Sequence, residues 1–313
     1  MKPEIVLLKA IYEPTVAALE RDFVLHKSYT ASDPIAYIRQ HCGNARAAIS
    51  TTTTAVTRGH FAALPNLELL ACYGPYTTLI DLPAARERKI PVTCTPDSTA
   101  EPVADLAMGM IVAVMRRICE ADRFVRSGAW PSQVFPSGVE VRGKTCGIVG
   151  MGRIGREIAA RAASFGMKIC YFGPRRKDDV THAYFDNLAA MARESDCLVV
   201  TCALTPATRH LIDARIFSAL GPEGFLVNVA RGAIVDEPAL VKALADKQIA
   251  GAALDVFADE PHVPAELFKM DNVVLAPHMG TSTREVREGR SEKLLLDVRA
   301  HFAAQPLRHL IAL

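Results

Sequence analysis

Three glycines within six residues constrain the fold of this chain more than any other feature of its sequence. The string Gly150-Met151-Gly152-Arg153-Ile154-Gly155 directly follows the apolar run 146–149 and directly precedes a helical pattern that continues to Phe165. In such a string the first glycine permits a tight turn, the second lets a pyrophosphate approach the backbone, and the third lets helix and strand pack closely. A glycine triplet alone is often only a turn, but a strand before it and a helix after it predict a dinucleotide at the helix N-terminus.

Short apolar strands alternate with amphipathic helical stretches along the chain, which predicts parallel sheets with crossover helices. The predicted strands are 5–8, 47–50 and 67–71 in a first series, and 145–149, 168–172, 197–201, 225–229, 250–254 and 273–275 in a second. The segment 91–96 leads from the first series into a long helix. We therefore expect an α/β fold with two Rossmann-like or flavodoxin-like parallel-sheet domains. The first would comprise residues 1–98 plus 281–313, with the C-terminal helix, about 282–303, returning to it. The second would comprise residues 99–280.

The composition is that of an ordinary globular protein, with 50% hydrophobic and 22% charged residues among 313. Its 36 basic and 34 acidic residues are scattered, so no basic stripe favours nucleic acid or an anionic membrane surface. The longest apolar run, 106–115, is too short to span a bilayer. The N-terminus lacks the features of a signal peptide, and the eight cysteines show no Cys-x-x-Cys pair. We therefore expect a cytoplasmic protein without nucleic-acid, membrane or metal partners.

Three segments directly follow predicted strands, which is where an open α/β sheet binds its ligands. They are NVARG at 228–232, LDVFADEP at 254–261 and APHMG at 276–280. Together with the glycine string and TPAT at 205–208, they resemble the signature blocks of the D-isomer-specific 2-hydroxyacid dehydrogenase family. The resemblance extends from about residue 81 to about 283, in the family's order and approximate spacing. It implies that the first domain binds the substrate and the second the dinucleotide.

The resemblance implies a catalytic arginine, glutamate and histidine at Arg231, Glu260 and His278. The chemistry of the side chains supports this, because reducing a 2-keto acid requires a cation to hold the carboxylate and carbonyl. It also requires an acid that protonates the oxygen as hydride reaches carbon. Arg231 and His278 would contact the substrate in these roles, and Glu260 would orient the imidazole and favour its charged form. Taken singly, each could be a surface or loop residue, but their joint placement after successive strands favours the catalytic interpretation.

The resemblance also implies dinucleotide contacts outside the glycine string. They are Gly173, Arg175, Arg176, Cys202, Leu204, Thr208, Ala230, Asp255 and Gly280, with Asp255 similar to the family residue that contacts the nicotinamide carboxamide.

The end of the second strand of the dinucleotide domain predicts which dinucleotide is used. An NAD site normally has an acidic residue there to bind the ribose 2′-hydroxyl. Here the strand ends YFGPRRK at 171–177, so Gly173 replaces the acid, and Arg175 and Arg176 suit a 2′-phosphate. A solvated basic turn would explain the arginines but not the missing acid. We therefore predict that NADP is preferred to NAD.

The first domain departs from the family in the loop that binds the substrate carboxylate. The family has a glycine-rich loop there, and this chain has GPYTTLID at 74–81. Pro75 has no amide hydrogen to donate, so Gly74, Tyr76 and Thr77 are the predicted substrate-binding residues. The alternative is that the loop is only an altered turn.

These features predict an NADP-dependent oxidoreductase that reduces a small 2-keto acid, such as glyoxylate or hydroxypyruvate, to the D-2-hydroxy acid. One alternative is a dinucleotide-sensing binding protein, because transcriptional corepressors of the C-terminal-binding-protein type also resemble this family. Against it, the chain stops soon after its last helix and has no disordered tail for partner recruitment. Another alternative is an enzyme with a different ligand, such as a methyltransferase, but it would leave Arg231, Glu260 and His278 unexplained.

The resemblance further implies a homodimer built on the helix predicted from about residue 99 to 125 and on the irregular stretch after it, 127–142. That helix carries more apolar residues than an exposed helix should. They are Ala107, Met108, Met110, Ile111 and Val114. The only tryptophan, Trp130, follows in that irregular stretch. Two roles are open for it: it reaches the partner's active site, or it serves as a core or surface anchor.

Overall fold

The structure is a computed structural model that describes residues 2–75, 77–96 and 99–311. The chain divides into two compact units. Unit 1 comprises Met1–Ser98 and Thr283–Leu313, and unit 2 comprises Thr99–Ser282. Each unit is built on a sheet of parallel strands with helices between them, so the predicted fold class is confirmed.

Strands and helices alternate along both units. The strands are β1 (Glu4–Leu7), β2 (Val24–Lys27), β3 (Ala45–Thr51), β4 (Leu69–Tyr73), β5 (Val92–Cys94), β6 (Thr145–Val149), β7 (Lys168–Phe172), β8 (Ala183–Phe185), β9 (Cys197–Val200), β10 (Phe225–Asn228), β11 (Gly251–Leu254) and β12 (Val273–Leu275). The α-helices are α1 (Glu13–Asp22), α2 (Pro34–His41), α3 (Arg58–Ala63), α4 (Leu82–Glu87), α5 (Ala100–Met115), α6 (Ile118–Arg126), α7 (Arg153–Ser164), α8 (Leu188–Arg193), α9 (Ala214–Leu220), α10 (Glu237–Ala245) and α11 (Arg284–Phe302). Short 3-10 helices cover Ser28–Thr30, Gly232–Ile234 and Ala265–Lys269.

The sheet of unit 1 has five strands in the order β2-β1-β3-β4-β5, the order of flavodoxin-like sheets. Successive residues of a strand point to opposite faces. Ile5 and Leu7 of β1 join one apolar cluster with Leu294 of α11, whereas Val6 joins a second cluster with Phe61 of α3. Both faces are therefore buried, which explains why the strand is a continuous apolar run.

After α11 the chain returns to the edge of the same sheet. Leu310 forms an antiparallel bridge with Thr93 of β5. The amide of Cys94 donates to the His309 carbonyl oxygen at 3.1 Å, and the amide of Ile311 donates to the Val92 carbonyl oxygen at 2.9 Å. The C-terminal segment thus covers backbone groups that an edge strand would otherwise expose.

The sheet of unit 2 has seven strands in the order β12-β11-β10-β9-β6-β7-β8. Counting from β6 as its first strand, this is the doubly wound order of a dinucleotide-binding sheet with one additional strand. The loops that follow these strands therefore emerge at one edge, the carboxyl edge.

The helix predicted from about 99 to 125 is two helices. Helix α5 ends at Met115, and Arg117 takes a left-handed conformation with a φ of 57° before α6 begins. The apolar side chains that the sequence suggested as a dimer surface are buried inside unit 2 and form part of its core. They are Ala107, Met108, Met110, Ile111 and Val114. The apolar surface of α5 therefore gives no support to the predicted dimer.

Within the described residues, no helix has both the length and the apolar character needed to cross a membrane. The cytoplasmic location stays a prediction.

Candidate active site

The loops after β6 and β9 meet at the carboxyl edge of the unit 2 sheet. The chain runs from β6 to β7 on one side and later through β9 on the other, so β6 and β9 are neighbours at the topological switch point. Open α/β sheets bind ligands in the crevice outside this point. The two loops are tied together there, because the Thr201 hydroxyl donates to the Gly150 carbonyl oxygen at 2.6 Å.

Each glycine of the loop after β6 has a different environment. Gly150 has a φ of 106°, and a Cβ on it would stand 2.8 Å from the Cys202 Cα. A Cβ on Gly155 would overlap the Gly150 carbonyl oxygen, so this glycine lets α7 pack on the loop. Gly152 is the N-cap of α7, and a Cβ added to it would have no heavy atom within 4 Å. The loop therefore leaves open space at the N-terminus of a helix, where a pyrophosphate fits.

The residues between these glycines point in different directions. Met151 is buried in the core, Ile154 packs partly against it, and Arg153 is exposed at the start of α7.

The strand β7 ends in a basic turn without an acidic residue. Gly173 is half-buried, and Arg175 and Arg176 are exposed. Within the part of the chain that the structure describes, neither arginine forms an ion pair. The nearby Asp179 is engaged by Arg156, whose Nη2 donates to it at 2.9 Å. The two guanidinium groups are thus available to an anionic ligand.

The loop after β9 carries three of the predicted cofactor residues. Cys202 lies against Gly150, and burial raises the pKa of its thiol to about 11. The Thr208 hydroxyl donates to the Ala203 carbonyl oxygen at 2.7 Å and accepts from the Thr205 amide at 2.7 Å. Leu204 lies within this braced turn and is exposed, which makes it an apolar surface for a ligand.

Arg231 follows β10 on a loop that a buried asparagine holds. The Asn228 Oδ1 accepts from the Ala230 amide and its Nδ2 donates to the Arg231 carbonyl oxygen, both at 3.1 Å. The Arg231 side chain is exposed, with one guanidinium nitrogen donating to the Ala230 carbonyl oxygen at 2.6 Å. The remaining donors of the guanidinium fork can therefore hold a carboxylate.

Gly232 brings the Arg231 loop against the loop after β11. A Cβ on Gly232 would overlap the backbone of Phe257 and Ala258, so only glycine permits this approach. Sequence reasoning did not single out Gly232 or Asn228, although both lie in the NVARG block. Two signals in the sequence could have identified them. Asn228 is a polar residue at the end of an apolar strand, and Gly232 directly follows the arginine.

Glu260 and His278 form a hydrogen-bonded pair. The His278 Nδ1 lies 2.6 Å from the Glu260 Oε2, and the other carboxylate oxygen accepts from the Phe257 amide at 3.1 Å. The carboxylate is thereby anchored to its own loop while it orients the imidazole. The His278 ring is partly exposed and keeps its Nε2 for another partner. Such a pair suits general acid–base chemistry.

Asp255 directly follows β11 and is buried. Its Oδ1 accepts from the Met279 amide at 2.7 Å, and its Oδ2 accepts from the Gly280 amide at 2.9 Å. Burial raises the pKa of this carboxyl, and the two amide hydrogen bonds oppose that effect. Both carboxylate oxygens of Asp255 therefore accept hydrogen bonds from the backbone directly after His278.

The predicted substrate loop lies in unit 1, after β4. The Gly74 amide donates to the Cys72 carbonyl oxygen at 3.0 Å, so this hydrogen is engaged within the loop. Thr77 is half-buried, and its carbonyl oxygen accepts from the Ile80 amide at 3.0 Å. Tyr76 lies outside the described residues.

Across residues 2–75, 77–96 and 99–311, no three or more His, Cys, Asp or Glu side chains form a group that could hold a metal ion.

A glycine-looped helix N-terminus at the switch point, with a histidine–carboxylate pair on loops at the same carboxyl edge, is typical of a dinucleotide-dependent oxidoreductase. Comparison with known proteins agrees with this class. The family model described as D-isomer specific 2-hydroxyacid dehydrogenase, NAD binding domain, matches residues 108–280, which lie within unit 2. The chain belongs to the D-isomer specific 2-hydroxyacid dehydrogenase family.

Relatives of known name are similar over almost the whole chain. A glyoxylate/hydroxypyruvate reductase A of Arabidopsis thaliana is 42% identical over 289 residues, which cover 92% of each chain. A 2-ketogluconate reductase of Gluconobacter oxydans is 37% identical over 310 residues, covering 98% of this chain and 97% of the relative.

Solved structures match the fold equally broadly. A 2-hydroxyacid dehydrogenase of Ketogulonicigenium vulgare superposes with a TM-score of 0.89 at 37% identity and covers 100% of this chain and 99% of its own. An NADPH-dependent glyoxylate/hydroxypyruvate reductase of Sinorhizobium meliloti, in complex with NADP and malonate, gives a TM-score of 0.81 at 32% identity, covering 100% of this chain and 97% of its own.

Proposed function

We propose that this enzyme reduces a small 2-keto acid, such as glyoxylate or hydroxypyruvate, to the D-2-hydroxy acid with NADPH. The 2.6 Å bond between His278 and Glu260 carries the proposal, because it orients an imidazole at the sheet edge that also carries the dinucleotide loops. The relatives named above are reductases or dehydrogenases of 2-keto and 2-hydroxy acids. They do not favour the alternative of a dinucleotide-sensing binding protein.

The proposed residues divide the chemistry of reduction among them. The bound nicotinamide would supply the hydride to C2 of the keto acid. The Arg231 guanidinium holds the carboxylate and polarises the carbonyl oxygen. The His278 Nε2 gives its proton to that oxygen, which becomes the hydroxyl, and Glu260 keeps Nδ1 engaged throughout. Because the ring is partly exposed, the neutral imidazole regains a proton from water.

Single substitutions test this assignment. Arg231→Ala and His278→Ala should each remove most turnover while fold and NADPH binding are retained, since both residues act on the substrate. The matched control is His262→Ala, which removes an exposed histidine near the same loops and should leave the rate unchanged. The rate is read from the loss of reduced-nicotinamide absorbance with a panel of 2-keto acids. Wild-type turnover in the His278→Ala variant would sink the assignment.

We propose NADP rather than NAD as the cofactor. The exposed guanidinium groups of Arg175 and Arg176 follow a strand end where Gly173 supplies no carboxylate to repel a 2′-phosphate. The Sinorhizobium meliloti structure is named as NADPH-dependent. We expect kcat/KM with NADPH to exceed that with NADH by at least about tenfold, and a preference for NADH would overturn the choice.

Unit 1 is the proposed substrate-binding domain. Gly74, Tyr76 and Thr77 remain its proposed contacts, although the engaged amide of Gly74 shifts the expected hydrogen bonding towards the later residues of the loop. Thr77→Pro removes one amide hydrogen. It should raise the KM for the keto acid without changing the Kd for NADPH. An unchanged KM would remove Thr77 from the substrate site.

We propose a homodimer whose surface is the later part of the predicted region, α6 and the segment that follows, and not α5. Helix α6 has no buried residue. Four large apolar side chains of this region are exposed, Ile118, Val125, Trp130 and Val134. Trp130 is 67% exposed, so it is not a core anchor. Light scattering should give about twice the chain mass of 33.9 kDa, and a lasting 33.9 kDa species at micromolar concentration would refute the dimer.

A further inference from the structure

We infer that Asn228 and Asp255 are positioning residues, which set the backbone of the loops that carry Arg231 and His278. This inference rests on the proposed function of those two side chains. This positioning role does not require Asn228 or Asp255 to contact the substrate. Both act through hydrogen bonds to main-chain atoms.

The two residues are neighbours at the carboxyl edge of the unit 2 sheet. Asn228 is the last residue of β10, and Asp255 directly follows β11, the adjacent strand. The Asp255 amide donates to the Asn228 carbonyl oxygen at 3.0 Å. Their relative exposures are 1% and 2%, so each polar side chain must find its hydrogen-bond partners inside the protein.

The Asn228 side chain forms its hydrogen bonds with the backbone of the loop that carries Arg231. Its carbonyl accepts from the Ala230 amide, and its amide nitrogen donates to the Arg231 carbonyl oxygen. One side chain therefore closes a turn around three residues. A displacement of the Arg231 backbone would break the bond to its carbonyl oxygen and leave the buried Asn228 amide without its partner, which is costly.

Asp255 likewise holds the backbone of the loop that carries His278. Its carboxylate accepts from the amides of Met279 and Gly280, and its own carbonyl oxygen accepts from the His278 amide at 2.8 Å. The amides of three consecutive residues, 278–280, thus all donate to Asp255. His278 itself has a φ of 51°, a left-handed conformation that a non-glycine residue adopts at a cost. The three bonds supply the restraint that holds it there.

This arrangement differs from the role that family resemblance implies for Asp255. A contact to the nicotinamide would make the residue a determinant of cofactor affinity. A clamp on residues 278–280 makes it a determinant of where the His278 proton is delivered. The two roles predict different kinetic constants for the same variant.

Isosteric variants separate these roles. Asp255→Asn can accept only one of the two amide hydrogens, and its NH2 group opposes the other. At saturating NADPH we expect kcat to fall on the order of a hundredfold, because proton delivery becomes misaligned. The solvent deuterium isotope effect on kcat should rise, since proton transfer then limits the rate. The Kd for NADPH, measured by nicotinamide fluorescence, should stay the same.

Asn228→Asp tests the arginine loop. The variant keeps the acceptor for Ala230 but places a carboxylate against the Arg231 carbonyl oxygen. Because Arg231 binds the substrate carboxylate, we expect the KM for the keto acid to rise about tenfold or more. The matched control for both variants is Asp259→Asn, an exposed side chain in the loop after β11, which should behave as wild type.

Hydrogen exchange tests the clamp in the unaltered protein, so the inference does not depend on a variant that folds. The Met279 side chain is exposed, yet its amide and that of Gly280 should exchange slowly. Fast exchange at both amides overturns the inference. So does an Asp255→Asn variant that loses NADPH affinity but keeps its kcat. If instead Arg231→Ala and His278→Ala retain turnover, the proposed function itself fails.

Discussion

Replacing Gly232 with alanine should separate the loops that carry Arg231 and Glu260. A Cβ on Gly232 would stand within 3.0 Å of three backbone atoms of Phe257 and Ala258, whereas ordinary van der Waals contact begins at 3.4 Å. Backbone atoms cannot swing away as the end of a flexible side chain does. The loops must therefore part by more than about 1 Å in an interior that is otherwise close-packed.

That displacement should cost both stability and rate. Overpacking of this kind lowers the free energy of unfolding by about 1–3 kcal/mol. A 1 Å misplacement of a catalytic group lowers the rate on the order of a hundredfold. We expect Gly232→Ala to show both effects, measured as kcat/KM for the keto acid and as a urea unfolding curve.

Gly109→Ala is the control for this experiment. Gly109 lies in α5 with nothing within 4 Å of its Cβ position. Alanine there should raise the free energy of unfolding by up to about 1 kcal/mol and leave the rate unchanged. Wild-type kcat/KM in Gly232→Ala would refute the link between loop spacing and catalysis.

Three other outcomes are expected. Glu260→Gln keeps a side-chain oxygen that can accept from the His278 Nδ1 but loses the charge-assisted bond, so kcat/KM should fall less than in His278→Ala; a loss as large as that of His278→Ala contradicts this. Arg175→Ala combined with Arg176→Ala should raise the KM for NADPH strongly and leave NADH kinetics almost unaltered, which steady-state assays with both cofactors check. Because burial raises the pKa of Cys202 to about 11, its thiol stays protonated at neutral pH. Alkylation of Cys202, followed by peptide mass analysis, should therefore be slow until the pH approaches that value.

The sheets could be predicted from sequence where both faces are buried, because such strands are continuous apolar runs. The edge strand β2 lacks that signal, since none of its residues is buried and it ends in a histidine and a lysine. The break between α5 and α6 gave no signal either. The apolar period continues across it, and Arg117 takes a left-handed conformation that usually marks glycine.

Resemblance to the family's signature blocks selected Arg231, Glu260 and His278, and their placement after successive strands supported the choice, because loops after parallel strands share one edge. Their mutual geometry was not predictable. The bond between Glu260 and His278 joins loops that are 18 residues apart, and their approach depends on which polar side chains turn inward. A sequence shows that Asn228 and Asp255 are polar, but not that Asn228 binds the backbone of its own loop and Asp255 that of the loop after β12.

The return of the chain into unit 1 sets an order of assembly during synthesis. Unit 2 is one continuous segment, whereas unit 1 requires Met1–Ser98 and Thr283–Leu313 together. Until α11 leaves the ribosome, the apolar surface that Leu294 and Val298 cover stays exposed, and β5 lacks the bridge to Leu310. A nascent chain ending near residue 282 would thus contain all of unit 2, while its unit 1 would keep an uncovered apolar face and an open sheet edge, both of which favour aggregation.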